Sequence, residues 1–333
     1  MVEVLHGPPL AIFGLSALAI LPLSALLGRA TEELAARAGP TIGGLLNATL
    51  GNLAELIIAA FALSAGLVDL VKASITGSVL GNLLLVLGAA QLAGGLRFKT
   101  QTFNRQLATV NVPLLVIAAA GLIVPALFHA AHPDPERAAT VRMSEFVAVL
   151  LVAGYVLSLV YSMWTHRAMF AGAAEGHATE ATWSMSRTLL VLGGAAAAIG
   201  VMSEILVGAT EDATAAMGLS EFFVGIILVP IIGNAAEHSS AVLMAYRNRM
   251  DLAMNIALGS SVQVALLVAP LLVFLGLLVG QPMDLAFTTF EVAAVALAVW
   301  MASSIVVDAE SNWLEGAYLL VVYGMLGVAF YFF

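Results

Sequence analysis

A chain of 333 residues in which 61% are hydrophobic and only 10% charged is not a soluble domain, where about a quarter of the residues carry charge. A net charge of −9 with few basic residues speaks against nucleic acid as a partner. Cysteine is missing, which excludes disulfides, iron–sulfur clusters and thiolate zinc sites.

Apolar runs long enough to cross about 30 Å of hydrocarbon recur from end to end. The expected fold is an all-α polytopic membrane protein of ten spans, near 10–28, 41–65, 74–94, 107–128, 143–165, 185–208, 218–245, 252–279, 285–307 and 314–333. The first run follows Glu3 and His6 with no basic segment before it, so it reads as a retained helix and not as a signal peptide. The polar, Ala/Gly-rich stretch around 167–183 lies midway. It reads as a linker between two five-helix halves, 1–166 and 184–333.

Lys and Arg fall unevenly between the two sides. Loops after the odd-numbered spans hold Arg29, Arg37, Arg97, Lys99, Arg105, Arg167, Arg187, Arg247 and Arg249; the other side holds Lys72, Arg137 and Arg142. The positive-inside rule then puts the odd-numbered loops in the cytoplasm and both termini outside.

The second span contains Gly51-Asn52-Leu53-Ala54-Glu55, and the seventh contains Gly233-Asn234-Ala235-Ala236-Glu237. An acid in mid-membrane costs roughly 2.5–3.5 kcal/mol on insertion scales, and such residues are by default functional. Shifting the chain by 182 residues aligns 43–88 with 225–270 at fourteen of forty-six positions. The matches include Gly43/Gly225, Asn52/Asn234, Glu55/Glu237, Asp69/Asp251, Gly77/Gly259 and Ser78/Ser260. Ala/Leu content alone does not bring Asn, Asp and Glu into register. Five spans per half is an odd number, so the second copy enters the membrane from the opposite side. That is an inverted-topology repeat with helices broken at the midplane, as in alternating-access transporters.

Glycine in mid-span loosens the backbone and frees carbonyls that a buried cation can satisfy. Asn52 and Asn234 add neutral oxygens, and Glu55 and Glu237 follow three residues later on the same helix face. Two such units meeting head to head make an all-oxygen site of charge up to −2, which suits Ca²⁺, with Mn²⁺ as a second choice. Without a cation the two carboxylates repel and are poorly solvated, so the pair takes up protons and titrates as a unit. Competition between Ca²⁺ and H⁺ for the same oxygens is the core of an exchanger.

Asn82 and Gln263, one register step apart under the repeat, and Ser78 and Ser260 could line the same region; close helix packing by small residues is the other account of these stretches. His238 has Leu56 as its counterpart. It either tunes or relays protons beside Glu237 or is a satisfied buried imidazole. Glu32, Glu33, Glu211 and Asp212 are expected at the ends of the first and sixth spans, as solvated helix ends or as a cation-collecting vestibule. Asp69 and Asp251 are expected to cap the helices they begin. Trp164, Trp183, Trp300 and Trp313 fit an interfacial aromatic belt, and Glu145, Glu204, Glu221, Glu291 and Glu315 have no assigned role.

These motifs resemble those of the cation/proton exchanger (CAX) family of the Ca²⁺:cation antiporter superfamily. The matching runs are PTIGGLLNATLGNLAE (40–55), GSVLGNLLLVLG (77–88), SEILVG (203–208), LSEFFVGIILVPIIGNAAE (219–237) with His238, MDLAMNIALGSSVQVALLVAP (250–270) and NWLEG (312–316). The resemblance implies secondary active antiport of Ca²⁺ for H⁺ without a cofactor. Glu55 and Glu237 would bind Ca²⁺ or protons in alternation, and helices like the first and sixth would slide across a fixed bundle. Members commonly have eleven spans, so the ten expected here imply loss of a dispensable first one. The compact chain suggests a prokaryotic plasma membrane, or a vacuolar membrane in a eukaryote. The partners expected are Ca²⁺, H⁺ and the bilayer, with self-association left open. The same fold exchanging Na⁺ or K⁺ is the alternative. An intramembrane metalloprotease is disfavoured, because neither HExxH nor HxxEH occurs.

Overall fold

The computed structural model describes residues 7–132, 137–166 and 181–333. Of the expected linker, 167–180 lies outside the described residues, as do Glu3 and His6. The helices are α1 (Pro9–Leu50), α2 (Leu53–Ser64), α3 (Val68–Arg97), α4 (Arg105–Ala131), α5 (Ala138–Thr165) and α6 (Met185–Gly208). They continue with α7 (Thr210–Met217), α8 (Glu221–Gly233), α9 (Ala235–Tyr246), α10 (Met250–Val279), α11 (Thr289–Ile305) and α12 (Trp313–Phe332). A short antiparallel ladder joins β1 (Gln101–Thr102) to β2 (Glu310–Ser311), pairing Gln101 with Ser311.

Among the described residues, seven helices are long and apolar enough to cross a membrane, or eight if the bent pair α7–α8 counts as one span. The expected spans 41–65 and 218–245 correspond to interrupted helices, because the chain breaks where the motif residues stand, and 285–307 to a shorter one that starts only at its Thr288 cap. Asn52 (φ −94°, ψ 20°) and Asn234 (φ −101°, ψ 7°) both leave helical geometry for the sparsely populated bridge region. The two motif copies thus break their helices in the same conformation.

The first helix differs from expectation at its end. Its apolar run stops near Gly28, but the helix continues through Thr31, Glu32 and Glu33 and bends only at Gly39 (φ +81°, ψ 172°). The intervening Ala, Glu, Leu and Arg residues are good helix formers. The break falls on the glycine before Pro40, where proline disfavours helical geometry. Glu32 and Glu33 therefore sit inside a helix and not at its end.

The chain folds as two compact units, and neither is one half of the sequence. The first comprises residues 7–77, 181–236 and 330–333; the second comprises 78–132, 137–166 and 237–329. In the first unit α1 and α2 pack along α6. Phe13, Ile20, Ile58 and Leu206 form one buried cluster, and Leu27, Ala54, Ala195 and Ile199 a second. Burying such side chains stabilises a helix pair by about 1.5–3 kcal/mol each in water. In lipid it is close packing that holds them. Helix α8 runs tight against the start of α3: a Cβ on Gly77 would lie 2.1 Å from the Ile226 carbonyl oxygen, and one on Gly225 would lie 2.9 Å from Ala73 Cβ.

In the second unit α10 packs against α3, α4 and α5. Helix α3 meets α12 with glycine on both sides, since a Cβ on Gly316 would stand 2.6 Å from the Gly88 carbonyl oxygen. Both long helices carry a π turn, Gly81–Val86 in α3 and Val264–Val268 in α10, and the 182-residue shift superimposes the two. Such turns are frequent at functional sites.

Candidate functional site

Glu55 lies in the first turn of α2 and Glu237 in the first turn of α9. Each therefore faces the positive end of a short helix, which favours negative charge. The breaks at Gly51-Asn52 and Gly233-Asn234 create those helix starts, so the motif both supplies the acid and builds its electrostatic setting.

In the first unit the Asn234 side-chain amide donates to Glu55 Oε1. The amide of one motif copy thus serves the acid of the other, a pairing the linear motif does not reveal. Gly233 makes the approach feasible: a Cβ there would stand 3.0 Å from Glu55 Cγ. Asn52 and Asn234 are both buried, at 4% and 2% exposure. Glu55 itself is half-buried.

In the second unit the Ser260 hydroxyl donates to Glu237 Oε2 over 2.6 Å. Asn234 and Ser260 are neutral, so these bonds orient the carboxylates and leave their charge available. Ser78 and Asn82 are buried on α3, and Gln263 is half-buried on α10. Asn82 lies within the first π turn, and Gln263 immediately precedes the second. The Asn82 side-chain nitrogen and His238 Nε2 are buried without a hydrogen-bond partner among the described residues. No three His, Asp or Glu side chains cluster as metal ligands among the described residues. A cation here would need amide, hydroxyl or backbone oxygens besides carboxylates.

The remaining acids divide by role. Glu211 and Asp212 are exposed in the first turn of α7, and Glu32 is exposed on α1. Glu33 is engaged by Thr182 and Trp183: it accepts from both backbone N–H groups and from the Thr182 hydroxyl. Asp69 lies in the first turn of α3. Asp251 is not the cap of α10. Arg249 occupies that position without a side-chain bond, while Asp251 accepts the Asn104 N–H from the loop before α4.

Two acids left without a role prove to be helix caps. Thr288 and Glu291 exchange side-chain-to-backbone bonds in a capping box at the start of α11. Asn312 accepts from the Leu314 and Glu315 N–H groups, and Glu315 accepts from Asn312 N–H. The spacings T-x-x-E and N-x-x-E were present in the sequence and are the signal of this device. Of the four tryptophans, Trp164, Trp300 and Trp313 are exposed, as a belt requires, whereas Trp183 is buried at 5% exposure. Arg29 and Arg187 both stack on its ring, which removes it from the belt.

Comparison with known proteins shows the family and the fold. Residues 8–164 and 187–332 match the family described as sodium/calcium exchanger protein. The Ca²⁺/H⁺ antiporter of Aphanothece halophytica is 44% identical over 98% of this chain and 92% of its own length. The Ca²⁺/H⁺ antiporter ChaA of Bacillus subtilis is 40% identical over 99% of this chain and 94% of its own length. The solved structure of native YfkE superimposes with a TM-score of 0.86 at 37% identity, covering 99% of this chain and 95% of that one. With a match spanning both halves and near full-length relatives on the same fold, the chain belongs to the sodium/calcium exchanger family.

Proposed function

We propose that this protein exchanges Ca²⁺ for H⁺ across the membrane by alternating access, with Glu55 and Glu237 binding the metal or protons in competition. The observation that carries the exchange is near full-length similarity, at 44% identity, to a protein named as a Ca²⁺/H⁺ antiporter. Support for the two acids is local. Each opens a half-helix at a backbone break and is oriented by a neutral donor, Asn234 for Glu55 and Ser260 for Glu237. Buried Ca²⁺ takes six to eight oxygens. The two carboxylates would be supplemented by Asn52, Asn234, Asn82, Gln263, Ser78 and Ser260. His238 would relay or tune protons beside Glu237, and Glu32, Glu211 and Asp212 would collect cations at the mouth.

The ten-span inverted repeat belongs to the same reading. It is supported by the 182-residue register, by the matching breaks at Asn52 and Asn234, by the superimposed π turns, and by the family match falling once in each half. With the odd-numbered loops cytoplasmic, both termini face outward, in the plasma membrane of a prokaryote. Ca²⁺ is the transported substrate, and no cofactor takes part.

The test is Ca²⁺ uptake into proteoliposomes under an imposed pH gradient, with and without Na⁺. The expected result is uptake that needs the gradient and ignores Na⁺. Uptake that required Na⁺ and was indifferent to pH would refute proton coupling.

A further inference from the structure

The carboxylate of Glu33 is fully committed within the first unit. Its Oε2 accepts the Thr182 N–H at 2.8 Å and the Trp183 N–H at 3.0 Å, and its Oε1 accepts the Thr182 hydroxyl at 2.5 Å. One turn earlier on the same helix, Arg29 stacks on Trp183 with its guanidinium carbon 5.0 Å from the ring centre. Arg187, in the first turn of α6, stacks on the same ring at 4.5 Å. The indole between them is 5% exposed. Ser184 then caps α6 by accepting the Arg187 N–H. The two residues before that cap are thus pinned to α1 by three hydrogen bonds and a shared aromatic ring.

A carboxylate that gathers cations should offer free oxygens to solvent. Glu33 instead uses both of its oxygens on backbone and hydroxyl donors. We infer that Glu33 is a positioning residue that, through Thr182 and Trp183, fastens the interior of α1 to the start of α6 so that the two helices move as one body during exchange. Alternating access works by near-rigid displacement of one bundle. Slippage between two long packed helices would dissipate such a displacement. Close packing holds α1 along α6, and a directional fastening at one point adds a fixed register to it.

The fastening needs acceptors and geometry, not charge. Glutamine in place of Glu33 can present its oxygen to the two N–H groups and its amide to the Thr182 hydroxyl, which accepts as readily as it donates. Alanine can do neither. This inference rests on the antiport reading, and wild-type uptake measured alongside tests that reading separately.

The experiment measures Ca²⁺ uptake by wild type, Glu33→Gln and Glu33→Ala, each with the half-saturating Ca²⁺ concentration and the maximal rate. It also follows Trp183 emission in a background with the other three tryptophans replaced by phenylalanine. Glu33→Gln should keep the wild-type rate, half-saturation and blue-shifted emission. Glu33→Ala should lose about tenfold in maximal rate, within the span of coupling mutations, with half-saturation unchanged and emission shifted to the red. Because the chain has no cysteine, Glu33→Cys with Thr182→Cys can be bridged by a short bis-maleimide, and bridging should restore the rate lost in the unbridged protein. A raised half-saturating Ca²⁺ in Glu33→Gln would show that the charge matters and overturn the inference. So would a wild-type rate in Glu33→Ala, or bridging without recovery. If Glu33→Ala does not fold, the glutamine variant and the bridged pair still decide.

Discussion

A carboxylate works as an ion switch only if something holds it without neutralising it. On the proposed reading Asn234 and Ser260 would do this for Glu55 and Glu237, to which they donate, because amide and hydroxyl dipoles orient an acid at modest energetic cost. Glu55→Gln and Glu237→Gln should each abolish Ca²⁺ uptake while leaving the protein folded, as judged by detergent melting; uptake persisting in either would remove that residue from the site. Gly233→Ala should act on Glu55 from behind. The added methyl meets Glu55 Cγ at 3.0 Å, closer than nearly all ordinary side-chain contacts. The expected consequence is a several-fold fall in uptake with little change in melting temperature, whereas unchanged uptake would show that Glu55 has room to move. His238→Ala should alter the pH profile of uptake more than its maximal rate, and an unaltered profile would make His238 a packing residue.

The helices are shaped by where they break and where they touch. Asn52 and Asn234 interrupt their helices in the same conformation, and the π turns of α3 and α10 coincide under the repeat. Backbone irregularity at membrane depth is tolerated only where it is buried in protein or lines a cavity. Its recurrence in matching places therefore argues for use. Contact between helices depends on glycine at Gly77, where any Cβ would overlap the Ile226 carbonyl at 2.1 Å. Gly77→Ala should lower stability by about 1–3 kcal/mol, the usual cost of overpacking, read as a fall in melting temperature. Gly193→Ala, with nothing within 4 Å of its Cβ, is the matched control and should melt like wild type. Equal melting of the two would show that α3 and α8 can separate without penalty.

Much of this was legible in the sequence because rare residues mark it. Glycine, asparagine and glutamate inside apolar runs announce both the repeat and the breaks. Helix ends were less legible where an apolar run and a helix are different things. The lipid-facing pattern stops near Gly28, yet helix-forming residues carry α1 on to Gly39. That the two motif copies meet was expected from the repeat, but which amide serves which acid was not legible, since Asn234 lies 179 residues from Glu55 and only the fold sets that bond. Nor was the burial of Trp183, which comes from two arginines, one on each of two helices, meeting over one ring. The caps formed by Glu291 and Glu315 were written at the correct spacing and needed only the helix starts to be recognised.

For the whole molecule the decisive property is mutual exclusion of Ca²⁺ and protons. If both compete for the same carboxylates, each unit fall in pH raises the half-saturating Ca²⁺ concentration up to about tenfold per proton displaced. A chain that moved Ca²⁺ without exchanging protons would show no such dependence. The most direct measurement is the stoichiometric one: purified protein in liposomes carrying a Ca²⁺ indicator and a pH indicator together, with a pH gradient and no Na⁺. The account predicts Ca²⁺ entry matched in time by proton exit, and loss of both signals together in Glu55→Gln and Glu237→Gln. Ca²⁺ entry with no proton movement, or proton movement surviving in those variants with Ca²⁺ still crossing, would contradict it.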